Sequence, residues 1–360
     1  MQLGTNFIGI IPFSALNCNS FFDIICKFLL IFSGHCYRLD KNAHLWEEFV
    51  MILRQVLELF DLLDTPAANG KQITELLKER GAHEVTVETV TSEKGSTDCI
   101  TVLIKGSNGK SSGGSAPTLG IIGRLGGLGA RPELTGFVSD GDGALAALSA
   151  GLKLAEMNKN GDVLKGDILV ATHICPDAPT QDHYPVPFMD SSIDMQTNNE
   201  KEVDPRMDAI ISIDTTKGNK VINTNGFAIS PTIKSGYILE VSDDLLDVMT
   251  RVTGKLPYVF PVSQQDITPY GNDLHHLNSI LQPATATDAP VVGVAITTEQ
   301  PVAGCATGAS HPLDVESAAR FAVEVAKDYG EGKISFYNEQ EYAHLLELYG
   351  EMKVFQTFGK

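Results

Sequence analysis

The chain alternates short apolar runs with polar, glycine-bearing breaks, and the period of its apolar positions changes from helical to strand-like and back. In MILRQVLELFDLLD, residues Ile52, Val56, Leu59, Leu62 and Leu63 recur at helical spacing until the Pro66 to Gly70 cluster ends the run. KQITELLKERG predicts a second helix, ending at Gly81. VTVETV and TDCITVLIKG are rich in β-branched residues and predict strands, which lead into SNGKSSGGSAP, a loop expected to be exposed and mobile.

The stretch from Thr118 to Gly143 packs the most signals together: two strand-like runs, LGII and TGFV, a glycine-rich turn between them, and the acidic tip Ser139, Asp140, Asp142. ALAALSAGLKLAEM follows as a helix. Beyond it the rhythm of strand and helix repeats through DILVATHI, DAIISIDTT, YILEV, SDDLLDVMTRVTG, YVFPVS, APVVGVAIT and DVESAARFAVEVAKDYG, and NEQEYAHLLELYGEMK closes as a surface helix. Several strands are apolar without alternation, as strands covered on both faces are. The expected fold is α/β, a mostly parallel or mixed central sheet with helices on both faces. Residues 51–350 are expected to form one domain, with 351–360 as a tail.

Composition narrows the function. With 360 residues and 43% hydrophobic content the chain can build a large core, and its net charge of -18 disfavours nucleic acid or an acidic membrane surface as partner. Six cysteines without a CxxC pair do not make a disulfide framework, so a reducing cytoplasm is the expected setting. FFDIICKFLLIF is broken by Asp23 and Lys27 and is shorter than the ~20 residues of a membrane span. Residues 1–50 are therefore read as an extension outside the domain, either an appendage or, by preference, a translated leader ahead of a start at Met51.

Two phosphate signatures fail. Gly109, Lys110 and Ser111 end like a P-loop, but Ile104 stands where that motif needs glycine, and Gly123, Gly126, Gly127 and Gly129 lack the spacing of a dinucleotide turn. GASHP is not a nucleophile elbow. What recurs at predicted strand ends is acidic and imidazole chemistry: Asp140 and Asp142, His173 and Asp177, Asp214, and His311 before the last core helix. Strand carboxyl ends in an open α/β sheet are where ligands bind, and such donors together suit a divalent cation such as zinc or manganese. Each has an ordinary structural role too, as a helix cap, a turn former or a satisfied histidine.

Thiols give a second reading: Cys175 after a strand and Cys305 six residues before His311 could act as the acid and base of a cofactor-independent isomerase. The loop QDITPYGNDLHHLNSILQPATATDAP carries Asp266, Asp273, His275 and His276, and its length suits a lid or a contact in a homo-oligomer.

From Met51 to about residue 347 the chain resembles an uncharacterised bacterial and archaeal family, domain of unknown function 1177, through PTLGIIGRLGG, SDGDGA, GDILVATHICPDAPT, SIDTTKGN, QDITPYGN, NSILQPATAT and GCATGASH. More distantly, its order of sites is similar to that of the co-catalytic zinc aminopeptidases. That likeness implies Asp140 or Asp142 as bridging aspartate, Asp214 as the later aspartate and His311 as the final histidine ligand. It departs at Arg124, where those enzymes carry a histidine, and at His173, Cys175 and Asp177, where they carry a glutamate pair. The leading expectation is a metal-dependent hydrolase-like protein for a small peptide, amide or carboxylate compound. Asp177 or His173 is its base, and Arg124, Asp273 and His275 bind substrate. The alternatives are the two-cysteine isomerase and a non-catalytic binding protein on the same frame.

Overall fold

The computed structural model describes residues 51–124, 136–182, 188–302 and 309–359. The first half runs α1 (Leu53–Leu63), α2 (Gly70–Glu79), β1 (Glu84–Ser92), β2 (Gly95–Ile104), β3 (Leu119–Gly123), α3 (Asp142–Lys159) and β4 (Ile168–Ile174). There follow the small pair β5 (Thr180–Gln181) and β6 (Phe188–Met189), then α4 (Met195–Glu202), β7 (Ala209–Thr215), β8 (Gly226–Ile229), β9 (Ile233–Lys234) and β10 (Tyr237–Ile238). The chain closes with α5 (Asp243–Thr253), β11 (Val291–Thr297), α6 (Pro312–Gly330) and α7 (Glu339–Tyr349).

One mixed sheet of nine strands organises these elements, in the order β1-β2-β4-β3-β7-β11-β9-β10 with β8 also on β11. Its centre, β4-β3-β7-β11, is parallel, and the β1-β2 hairpin joins it antiparallel through β4. The four parallel strands are almost wholly buried, which is why their sequences are apolar without alternation. The fold is α/β.

On one face the apolar sides of α1, α2, α3, α5 and α6 meet Ile121, Val170, Ile211 and Val294 in the main core. The other face is covered by shorter pieces: Val203 at the end of α4, 3-10 turns at Gln264–Ile267 and Gln282–Thr285, and Phe355 of the closing turn Lys353–Gln356 pack near Ile210, Leu169 and Ala295. α7 buries no residue, as expected of a surface helix. Among the described residues no helix is long and apolar enough to cross a membrane.

Some expectations shift. The described part of TGFV, residues 136–138, does not join the sheet: Phe137 packs instead on the Phe60 ring, 5.0 Å between centroids, and its N–H donates to Asp64, so its apolarity serves a helix contact. YVFPVS contributes only a bridge from Val259 to Ile229, and YILEV only the two residues of β10. The SNGKSSGGSAP loop is exposed but tied down, because Asp167 accepts from the backbone N–H groups of Gly106 and Ser111 and from the Ser111 hydroxyl. The tail is likewise fastened, as described below.

Parallel pairing brings the carboxyl ends of β3, β4, β7 and β11 to one edge. The α3 N-terminus wedges between β3 and β7 there: a Cβ on Gly143 would stand 2.5 Å from the Ile213 carbonyl oxygen and 2.8 Å from that of Arg124. Only glycine allows that approach. Gly143→Ala is expected to cost about 1–3 kcal/mol of stability, since backbone must yield, measured by urea unfolding; an unchanged midpoint would show that the wedge is looser than described.

Candidate functional site

At that edge Arg124, the residue after β3, turns its guanidinium inward and is 0% exposed. A buried guanidinium requires an anion, and it finds Glu202 at the end of α4, itself 1% exposed, in an ion pair. Arg124 Nε also donates to the Ser279 carbonyl at 3.1 Å. The second Glu202 oxygen lies 2.8 Å from His173 Nδ1, on the penultimate residue of β4. Burial alone would raise Glu202, but the Arg124 charge and the His173 hydrogen bond prevail and hold its carboxyl below the ordinary range.

His173 is 4% exposed and lines a cavity of about 620 Å³ with Cys175, Thr97, Ser192, Ile193, Met195 and Tyr270. Glu202 fixes the ring through Nδ1, and among the described residues Nε2 has no hydrogen-bond partner. A carboxylate on one imidazole nitrogen sets the tautomer and leaves the other to accept a proton.

Beside this relay sit two buried carboxylates. Asp214, the sixth residue of β7, accepts from its neighbour's N–H, Thr215, at 2.6 Å and from Ser279 Oγ at 2.8 Å, so Ser279 bridges it to Arg124. Burial pushes its pKa up to about 7 against those bonds and the Arg124 charge. Asp142, first residue of α3, holds Lys217 Nζ at 3.2 Å and Ser310 Oγ at 2.6 Å, and burial pushes it up to about 6. The charge of Asp140 adds to the rise of both.

The structure thus draws together Asp140, Asp142, Asp214, Arg124 and His173, far apart in sequence, and separates the rest. Arg124 does not reach toward a substrate carboxylate, because its guanidinium is sealed against Glu202. His311 leaves the group: its half-exposed ring lies 3.2 Å from Asp314, and the loop reaches Asp142 through Ser310 instead. Asp177 is exposed. Asp273 and His275 are exposed as well, and their loop touches the cavity through Tyr270 and Gly271. Asp266 is spent within that loop, accepting from Ser263 and Leu277. Cys305 and the glycines after Arg124 lie outside the described residues. Cys175 faces the same cavity as His173, 2.8 Å from Ser192 Oγ, and burial pushes its thiol up, the opposite of an activated thiolate.

Among the described residues the donors are not arranged for zinc or manganese. Lys217 already occupies the anionic side of Asp142, the Arg124 charge stands beside Asp214, and among the described residues no three His, Cys, Asp or Glu side chains are grouped to hold a metal. Reasoning from strand ends pointed to the aspartates and His173, which the fold gathers at one edge, but not to Glu202, Lys217 or Ser279 beside them. Lys217 carried a signal, three residues past Asp214 in SIDTTKGN; Glu202, in a polar helix, carried none.

Three solved structures are similar in outline. Legionella pneumophila LapA aminopeptidase shares 10% identity over 92% of this chain and 80% of its own, with a TM-score of 0.43. Tomato leucine aminopeptidase shares 10% over 76% and 61%, with a TM-score of 0.47. The Bacillus subtilis YXEP protein, a dinuclear metal binding peptidase of the M20 family, shares 11% over 78% and 99%, with a TM-score of 0.41. No curated protein matches in sequence. A family model does, across residues 88–359, from within β1 to beyond the closing turn, and the chain belongs to that family, described as protein of unknown function, DUF1177.

Proposed function

We propose that the chain is an enzyme of the hydrolase or proton-transfer kind, acting on a small amide, carboxylate or short-peptide compound, with His173 as its acid–base group. The observation that carries this reading is the buried relay Arg124–Glu202–His173 opening onto a cavity of about 620 Å³. Arg124 keeps Glu202 ionised, Glu202 holds the imidazole by Nδ1, and Nε2 takes a proton from, or gives one to, a molecule in the cavity. Asp142 and Asp214 are positioning groups beside the relay, and no step passes through a metal.

A panel of dipeptides, amino-acid amides and N-acyl amino acids, followed by mass spectrometry, tests the reading. Turnover by the full chain is expected to fall about 10²- to 10⁴-fold in His173→Gln, and to be indifferent to added zinc, manganese or chelator. Wild-type turnover in His173→Gln, activity that needs the metal, or binding without turnover would each overturn it. Solvent-deuterium incorporation abolished by Cys175→Ala but not by His173→Gln would support the thiol isomerase instead.

A further inference from the structure

We infer that the last turn of the chain is a wall of this site, and that Phe358, with Tyr270, selects compounds carrying an aromatic ring beside their reacting polar group. This rests on the cavity at His173 being the site. Phe358 and Tyr270 both line the cavity of about 620 Å³ and also its neighbour of about 450 Å³, so they stand on the boundary between the two. Both leave much of an aromatic ring to water, Phe358 at 54% and Tyr270 at 43% exposure.

Neither ring is there by fraying. The residues just before Phe358 are fastened: Phe355 packs against the second-face core, Gln356 Nε2 donates to the carbonyls of Ala284 at 2.9 Å and Thr287 at 2.8 Å, and Lys353 Nζ lies 2.6 Å from Asp288. Tyr270 is set by its own N–H, which donates to the buried Gln282 side chain at 3.1 Å, and by Gly271 at φ 90 in the following turn. Two anchored segments from distant parts of the sequence therefore present apolar rings at one mouth. The same cavity is lined by the apolar Ala178, Met189, Ile193 and Met195, and on its polar side by Lys94, Asp190, Asp194 and the buried His173 imidazole. A pocket so divided takes a ligand with a polar reacting end and a ring that gains face and edge contacts at the rim.

Phenylacetate and acetate are suitable probes, compared on the full chain by ligand-observed saturation-transfer NMR. Phenylacetate is expected to bind at least about tenfold more tightly than acetate. Phe358→Ala is expected to weaken phenylacetate about tenfold and Phe358→Trp to preserve it, with circular dichroism showing both variants folded. Equal binding of the two probes, or a folded Phe358→Ala that binds phenylacetate as before, would overturn the inference. Discrimination that persists while His173→Gln keeps full turnover would sink the acid–base reading alone and leave the aromatic rim standing.

Discussion

Glu202→Ala is expected to destabilise the protein by about 3–5 kcal/mol in urea unfolding, because it strands the Arg124 guanidinium in a place with no water to take its charge. Asp214, a described carboxylate that also feels the Arg124 charge, already accepts from Thr215 and Ser279. Glu202→Gln keeps the shape and loses the charge, so its loss should be smaller. The double variant Arg124→Met with Glu202→Leu should recover much of the loss, since a buried ion pair and an apolar pair of similar volume are often close in stability. If Glu202→Ala unfolds like the wild type, the pair is not the anchor of the site.

The second large effect is on pH. In the unfolded chain Asp142 and Asp214 ionise in the ordinary carboxylate range, whereas folded they hold their protons to about 6 and about 7. The folded state therefore binds more protons between about pH 4 and pH 7, and stability contributed by these two groups is lost as pH rises through that window. Glu202 works in the opposite sense: its depressed value gives stability that is present above the ordinary carboxylate range and disappears as pH falls through its own. Asp214→Asn removes the buried charge and keeps an acceptor for the Thr215 N–H, while its amide NH2 donates to Ser279 Oγ where the carboxylate accepted. It is expected to raise stability at pH 8 by ~2–4 kcal/mol, because holding a proton through each further pH step of 1 is worth about 1.4 kcal/mol, and to flatten the decline from pH 4 to pH 7. A variant less stable than wild type at pH 8 would mean that Asp214 is ionised in the fold at a net gain, paired with Arg124.

Why only part of this cluster was legible in the sequence is a matter of range. Asp142, Asp214 and His173 sit at the ends of runs whose apolarity marks them as buried strands, and parallel pairing then carries those ends to one edge. Glu202 lies in an eight-residue helix, MQTNNEKE, with no apolar stripe; its start is signalled by Asp194, whose carboxylate caps Thr197 at 2.9 Å, but nothing local tells that its last residue turns into the protein. Arg124 meets it across 78 positions, and that separation is why an arginine at a strand end reads as a substrate holder when its partner is internal. His311 failed for the reverse reason: the loop does arrive at Asp142, and the choice between its serine and its histidine depends on side-chain directions that spacing does not carry. TGFV was apolar for a helix rather than for the sheet.

The proposed chemistry comes down to one proton on one ring. Nitrogen-15 NMR of the imidazole-labelled protein reads it directly: His173 Nδ1 is expected to carry hydrogen, donated to Glu202 and slow to exchange, while Nε2 is bare in the neutral ring and shifts when a ligand fills the cavity. A hydrogen on Nε2 with Nδ1 bare would contradict the acid–base role, because a ring so arranged has turned its only accepting nitrogen toward a carboxylate and has none left for a substrate.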